Sequence, residues 1–167
     1  MKVLLLNGSP HEHGCTDAAL REVADTLREE GIEAEIFWIR NEPVGGCIGC
    51  GGCAKAGKCV FGGTVNEFAE KAMAADGFVF GTPVHYAAAS GNVTAFLDRL
   101  FYSAPKAAFC RKPAAVVTSA RRAGTTAAYE QLLKYPGISE MPIVSSCYWN
   151  NVHGSCPEDV QKDEEGL

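Results

Sequence analysis

The chain has 167 residues, of which 47% are hydrophobic and 21% charged, and its formal net charge is −5. This composition is typical of one ordinary globular domain that can bury a full core, and it is unlike that of disordered chains. No apolar run reaches the roughly 18 residues that a membrane-spanning helix needs, and no Lys/Arg stripe suggests nucleic acid as a partner. The first residues, MKVLLLNG, are too short a run for a secretory signal, so we expect a single cytoplasmic domain over residues 1–167.

Five short apolar runs predict β-strands along the chain. They are KVLLLN (2–7), EAEIFWI (33–39), GFVFGT (77–82), AAVVTS (114–119) and MPIVSSCYW (141–149).

Four helices are predicted between these strands from apolar residues at helical spacing, over Leu20–Leu27, Val65–Ala72, Val93–Phe101 and Tyr129–Leu133. Thr16 is a candidate N-cap of the first helix and Gly31 its end; Thr64 and Glu67 form a candidate capping box for the second. Strands that alternate with helices predict an α/β fold, a doubly wound parallel sheet with helices on both faces. Ligands of such sheets bind beyond the carboxyl ends of the strands, here at the loops that start at Gly8, Gly81 and Ser119.

The first of these loops, NGSPHEHGCT, has the composition of an anion site. It offers the Ser9 and Thr16 hydroxyls and the amides of a helix N-terminus. It has no P-loop lysine, so a single terminal phosphate fits better than a nucleoside triphosphate. The alternative is a plain strand-to-helix turn.

The other two loops have the features of binding loops. GTPVHYAAASGNV is long for a strand-to-helix connection and mixes Pro83, His85 and Tyr86 with small residues. TSARRAGTT places Arg121 and Arg122 beside a glycine. The alternatives are side chains that cap the core and arginines that are simply solvated.

The run CIGCGGCAKAGKC, inside a cysteine-rich loop at 43–62, places four of the eight cysteines close together: Cys47, Cys50, Cys53 and Cys59. In a reducing compartment these are thiols or metal ligands rather than disulfides. The compact spacing lets thiolates converge on one [4Fe-4S] cluster, while zinc, partly oxidised thiols or free thiols are alternatives. The four isolated cysteines, Cys15, Cys110, Cys147 and Cys156, are expected to be small buried hydrophobes.

Four segments together resemble the NADPH-dependent FMN reductase family, in the branch with a cysteine loop that includes iron–sulfur flavoproteins. They are LLLNGSPHEHGCT, ADGFVFGTPVHYAAASGNVTAFLDR, KPAAVVTSARRAGTT and MPIVSSCYWNNVHG. The resemblance implies a flavodoxin-like sheet of order 2-1-3-4-5, FMN as cofactor, NAD(P)H as co-substrate and a homodimer or higher homo-oligomer. It also implies a helix starting at Pro157–Asp159, which related chains continue beyond the equivalent of Leu167, so this helix is expected to be cut short.

The family's functional residues carry over onto three groups. The resemblance implies that the FMN phosphate is bound by Ser9, His11, Cys15 and Thr16. It implies that the isoalloxazine ring contacts Pro83, Val84, His85 and Tyr86. The pyrimidine edge of the ring is expected to contact Ser119, Ala120, Arg121, Arg122 and Gly124. His11 replaces an arginine of the family and Cys15 an asparagine, so phosphate affinity is expected to be lower. No side chain is assigned as acid or base, since hydride transfer to flavin requires none.

Three function classes therefore stay open. The first is an NAD(P)H-dependent FMN oxidoreductase that passes electrons to a small acceptor. The second is an iron–sulfur flavoprotein that carries electrons to a protein partner with a [4Fe-4S] cluster on the four clustered cysteines. The third is a flavodoxin-like binding or regulatory domain without turnover.

Overall fold

The computed structural model describes residues 1–167. Its strands are β1 (Lys2–Asn7), β2 (Glu33–Trp38), β3 (Gly77–His85), β4 (Ala88–Ala89), β5 (Ala114–Ala120) and β6 (Asn151–His153). Its helices are α1 (Cys15–Glu29), α2 (Cys53–Ala56), α3 (Thr64–Ala74), α4 (Gly91–Ser103), α5 (Thr125–Ile138) and α6 (Pro157–Val160), with a 3₁₀ turn at Lys106–Ala108. None of these helices has the length and apolar character that crossing a membrane requires.

The sheet confirms the predicted topology. Five strands pair in parallel in the order β2-β1-β3-β5-β6, and the short β4 folds back antiparallel on the end of β3. Because β4 is not one of the five predicted strands, β5 and β6 are the predicted strands 4 and 5, and the order is the predicted 2-1-3-4-5. The register sets Asn7 beside Gly81, and Pro83 beside Ser119. The ends of β1, β3 and β5 therefore meet at one edge of the sheet, as the doubly wound fold requires.

Helices cover both faces of the sheet, but unequally. A cluster of 24 buried residues lies on the face that packs against α3, α4 and α5, where the Phe68 ring meets the edges of Phe37 and Phe96 at centroid distances of 5.3 and 5.7 Å. The opposite face buries nine residues beneath α1 and the single turn α6. Most of the apolar stabilisation of the fold is thus on the first face.

Both predicted side-chain caps are wrong. The cap of α1 is Gly14 and that of α3 is Gly63, and neither helix has a side-chain capping hydrogen bond. Thr16 lies inside α1 with its hydroxyl engaged elsewhere, and Glu67 pairs with Arg40 at 3.0 Å instead of reaching back to the cap. Gly31 does follow the end of α1, with φ +73°.

The last strand is shorter than the apolar run MPIVSSCYW predicts, and it begins further along the chain. Within that run only Ile143 bridges to β5, and β6 begins at Asn151. The side chains of Val144, Tyr148 and Trp149 are about half exposed, because this segment passes along the sheet edge before it joins the sheet. The helix predicted to begin at Pro157 is present as α6.

Candidate functional site

The loop between β1 and α1 leaves a row of backbone amides free. Helix α1 has no side-chain cap, and the amides of residues 12–17 have no acceptor within the protein. Amides at the start of a 15-residue helix point outward along its axis and carry the positive end of the helix dipole. These donors can bind an anion, at the position where the sequence predicts a phosphate site.

Buried polar contacts fix the shape of this loop. The fully buried Asn7 accepts from the Ser9 amide at 3.1 Å and donates to the Glu12 carbonyl at 3.0 Å. The Ser9 hydroxyl accepts from the His11 amide at 3.1 Å, and the Trp38 indole donates to the Ser9 carbonyl at 2.8 Å. Sequence analysis missed Asn7 and Trp38 because both are the last residues of strands, and Trp38 reaches its partner across 29 positions of the chain.

The hydroxyl of Thr16 joins the first loop to the third. Thr16 Oγ1 and Ser119 Oγ lie 2.8 Å apart, and both residues are buried. The expected phosphate ligand and the expected flavin-edge ligand are therefore neighbours. In the structure each hydroxyl serves as the other's partner.

The second loop is partly a β-hairpin. Val84 pairs with Ala89 and His85 with Ala88, and the two-residue turn between them holds Tyr86 and Ala87 at φ +51° and +57°. Non-glycine residues in this conformation cost about 1–2 kcal/mol each. Tyr86 and His85 project into solvent, while Pro83 and Val84 are half-buried.

The body of the structure holds this strained turn in place. The Ser90 amide donates to the Thr82 hydroxyl at 3.1 Å, and the Ala89 amide donates to the Gln131 side chain of α5 at 3.0 Å. The hairpin thus presents an exposed aromatic ring on a backbone that is tied down at its base.

The third loop packs against the tip of the hairpin. A Cβ on Gly124, which has φ +91°, would lie 2.7 Å from Ala87 Cα, so this position requires glycine for both conformation and space. Ala120 is buried, whereas Arg121 and Arg122 are exposed and form no hydrogen bond or ion pair within the protein. Two cations are thus free at the edge of the site.

Strand β6 and the residue after it close the edge near α1. Ala120 pairs with His153, the Gly154 amide donates to the Ala120 carbonyl at 3.0 Å, and Cys15 Sγ lies 3.5 Å from the Gly154 carbonyl. Burial raises the pKa of Cys15, and the carboxylates of Asp159 and Glu158 raise it further. The side chain of Cys15 is therefore a neutral donor at physiological pH.

The isolated cysteines are not the buried hydrophobes that were predicted. Cys147 is exposed, and Cys15, Cys110 and Cys156 are only partly buried. Each of the latter three lies in or beside a loop rather than in the centre of a helix or strand, and loops lie at the surface.

The four clustered cysteines line one small cavity against α4. Cys59 is buried, Cys53 is partly buried, and Cys47 and Cys50 are exposed on a stretch without helix or strand. The cavity holds about 20 Å³, which is room for one water molecule. No three metal-ligating side chains in the structure are placed to hold a metal ion.

Two polar side chains of α4, Arg99 and Ser103, also line this cavity. Arg99 of α4 is 8% exposed and donates from Nε to Cys59 Sγ at 3.3 Å and from Nη2 to the Gly62 carbonyl at 2.7 Å. Ser103, one turn further along α4, lines the cavity with a buried hydroxyl that has no hydrogen-bond partner. Sequence analysis missed both residues, since they belong to a helix that is distant from the cysteines in the chain.

The comparisons with known proteins point to one family. Residues 1–155 match the model of the NADPH-dependent FMN reductase family. An iron-sulfur flavoprotein of Methanocaldococcus jannaschii is 30% identical over all of this chain and 90% of its own length. The iron-sulfur flavoprotein of Methanosarcina thermophila is 33% identical over 60% of this chain, which is 51% of that protein.

The solved structures agree on the fold. The Trp repressor binding protein of Bacillus subtilis superposes with a TM-score of 0.70 at 16% identity, over 99% of this chain and 92% of that one. A sheet of this order, three loops meeting at its carboxyl edge and a family match over nearly the whole length give one conclusion: the chain belongs to the NADPH-dependent FMN reductase family of flavin oxidoreductases and has a flavodoxin-like fold.

Proposed function

We propose that this protein binds FMN at the carboxyl edge of the sheet and passes electrons from NAD(P)H through the flavin to a small acceptor. The observation that carries the proposal is the row of free amides at residues 12–17, at the uncapped start of α1. A phosphate monoester supplies the oxygens that these donors lack. Family membership identifies FMN as the phosphate-bearing cofactor to test.

Each loop has a part in this function. The amides and the Ser9 loop hold the phosphate. Pro83 to Tyr86 form a wall for the flat ring, and the turn at Tyr86 and Ala87 keeps backbone and an aromatic side chain at the ring's edge. Bound FMN would supply hydride acceptance at its N5 atom. Arg121 and Arg122 are free cations that would stabilise negative charge on the pyrimidine edge.

The test of the phosphate site is a comparison of two ligands. We expect FMN to bind apo-protein far more tightly than riboflavin, which has the same ring but no phosphate. Flavin fluorescence quenching gives both Kd values. Equal affinities would contradict a phosphate site at α1.

A matched pair of variants tests the amides themselves. Cys15 is the first residue of α1, where proline is tolerated, and Gly14 before it is already extended (φ −95°, ψ −169°). Both Cys15→Pro and Cys15→Ala lose the thiol, but only the proline variant loses one amide donor. We expect Cys15→Pro to bind FMN about tenfold more weakly than Cys15→Ala, a difference of about 1.4 kcal/mol. Equal Kd values would show that this amide does not contact the phosphate.

A second candidate function is electron carriage through a [4Fe-4S] cluster held by Cys47, Cys50, Cys53 and Cys59. The observation that favours it is the shared cavity, where four thiols face a buried guanidinium and an unpaired hydroxyl. This donor set fits a thiolate-ligated cluster, which would supply one-electron transfer. The cavity is too small for a cluster as it stands, but Cys47 and Cys50 lie on an exposed stretch that can move outward without disrupting the core.

Steady-state kinetics separate the two functions. Fast oxidation of NADPH or NADH with FMN and a quinone or free flavin as acceptor supports the reductase. Slow oxidation together with about four irons and four sulfides per chain in anaerobically purified protein supports the carrier. Neither activity nor iron, with FMN bound, would leave a binding domain without turnover.

A further inference from the structure

Arg99 is a buried cation without a buried anion. It is 8% exposed, and its hydrogen bonds go to a sulfur atom and a backbone carbonyl, with no carboxylate in ion-pair contact. A charge taken out of water is costly unless an opposite charge or a full set of hydrogen bonds compensates it. Negative charge placed near this guanidinium would therefore stabilise it.

Of the two hydrogen-bond partners of Arg99, only the sulfur of Cys59 can carry a negative charge. The Nε–Sγ distance is 3.3 Å, and Cys59 is itself fixed, because Asn66 donates to its carbonyl at 2.9 Å. Arg99 also lies over the Phe61 ring at 5.9 Å, so the guanidinium is held on two sides. A sulfur that ligates a cluster carries negative charge and accepts hydrogen bonds, so it meets the need of Arg99.

We propose that Arg99 is a positioning residue that tunes the cluster, donating a hydrogen bond to the Cys59 sulfur and compensating the charge of the cysteine site. The inference rests on the second candidate function above. A cluster bound by these cysteines would become more negative by one charge on taking up one electron from a reductant such as reduced flavin. A cation at the ligand sulfur stabilises this reduced form more than the oxidised form and so raises the reduction potential.

The test is the potential of the cluster in three proteins. Anaerobically purified wild type, Arg99→Lys and Arg99→Gln are titrated with dithionite and followed by electron paramagnetic resonance. We expect Arg99→Gln to shift the reduction equilibrium about tenfold towards the oxidised cluster, which is ~59 mV for one electron. Arg99→Lys keeps the charge and recovers part of the shift. The exposed Arg111 supplies the control, because Arg111→Gln removes an equal charge from a residue that neither lines the cysteine cavity nor bonds any of the four clustered cysteines, and it should leave the potential unchanged.

A measurement on the wild type covers the case in which an Arg99 variant does not fold. In protein labelled with ¹⁵N-arginine, we expect the reduced cluster to show hyperfine coupling to one arginine nitrogen. Coupling that is absent, or equal potentials in wild type and Arg99→Gln, overturns the role of Arg99 while the cluster stands. Wild-type protein without iron and sulfide overturns the cluster and the inference together.

Discussion

The loops at the carboxyl edge of the sheet, where we propose that FMN binds (the flavin edge), and the cysteine loop are two regions built in different ways. At the flavin edge, strand register fixes each loop at its start, and contacts such as Thr16 to Ser119 and Gly124 to Ala87 fix the loops to one another. The cysteine loop leaves β2 and runs through residues 43–50 without helix or strand, and side-chain hydrogen bonds tie it to the body near its two ends, from Asn92 at its start and from Arg99 to Cys59 at its end. A site at the flavin edge is therefore pre-formed, whereas the geometry of the cysteine site depends on what the thiols bind.

The largest effect should come from adding a methyl group at the flavin edge. A Cβ on Gly8 would lie 2.5 Å from Val93 Cγ2 and 2.6 Å from the Gly81 carbonyl. We expect Gly8→Ala to lower the free energy of unfolding by about 3 kcal/mol or more and to abolish FMN binding. Urea denaturation and flavin titration measure the two effects.

The matched control lies in the cysteine loop. A Cβ on Gly46 would meet nothing within 4 Å, and this glycine does not have a positive φ. Gly46→Ala should leave stability unchanged or raise it by up to about 1 kcal/mol. Equal losses in the two variants would remove the distinction between a pre-formed and an open region.

The next effect concerns the hydroxyl pair that ties the first loop to the third. Thr16→Val leaves the buried Ser119 hydroxyl without a partner, and we expect it to cost about 1–2 kcal/mol of unfolding free energy. The double variant Thr16→Val/Ser119→Ala should cost less than the sum of the two single variants. A double-mutant cycle by denaturation measures the coupling, and strict additivity would show that the two hydroxyls do not interact.

The smallest effect is expected in helix α4, which packs against both regions. Next to Arg99 on α4, Asp98 accepts a hydrogen bond from Tyr135 of α5 at 2.6 Å. Partial burial of Tyr135, followed by its hydrogen bond to Asp98, raises the pKa of Tyr135. A raised pKa in the folded state gives stability that is present below about pH 10 and is lost as the pH rises through the folded-state pKa.

Tyr135→Phe should therefore lower the unfolding free energy by about 1 kcal/mol near neutral pH and make its loss above pH 10 shallower. Denaturation curves at several alkaline pH values check both parts. Tyr102→Phe is the control, because its hydroxyl forms no hydrogen bond within the protein and its ring is mostly exposed. If the unfolding free energy of Tyr135→Phe fell above pH 10 as steeply as that of the wild type, ionisation of Tyr135 would not contribute to the pH dependence of stability.

Sequence reasoning found the sheet because three of its strands, β1, β3 and β5, are mostly buried apolar runs, a signal that depends on local composition. It failed at β6, where the short sequence NVH pairs with β5 and Thr118 bonds Asn151 at 2.6 Å, while the more apolar run before it meets the sheet only around Ile143. It also failed at the start of α1. The local pattern predicts a threonine cap, but Ser119, which lies 103 residues away, takes that hydroxyl.

The same limit applies to the candidate sites. The three strand-end loops could be predicted to meet, because parallel topology alone brings them together. Their exact ligands, the homo-oligomeric state and the cytoplasmic setting stay predictions. The partners of the cysteines could not be predicted, since Arg99 and Ser103 reach them only through the packing of α4.

The hydrogen bond from Trp38 to the Ser9 carbonyl also has an optical consequence. The chain has two tryptophans; Trp38 is tied to the loop proposed to hold the cofactor's phosphate, and Trp149 lies half-exposed at the far edge of the sheet. A flavin in that loop would accept excitation energy from the nearby indole and dim its emission. Trp38 is thus an intrinsic fluorescence reporter of cofactor binding in that loop, and the emission of Trp149 is the internal reference.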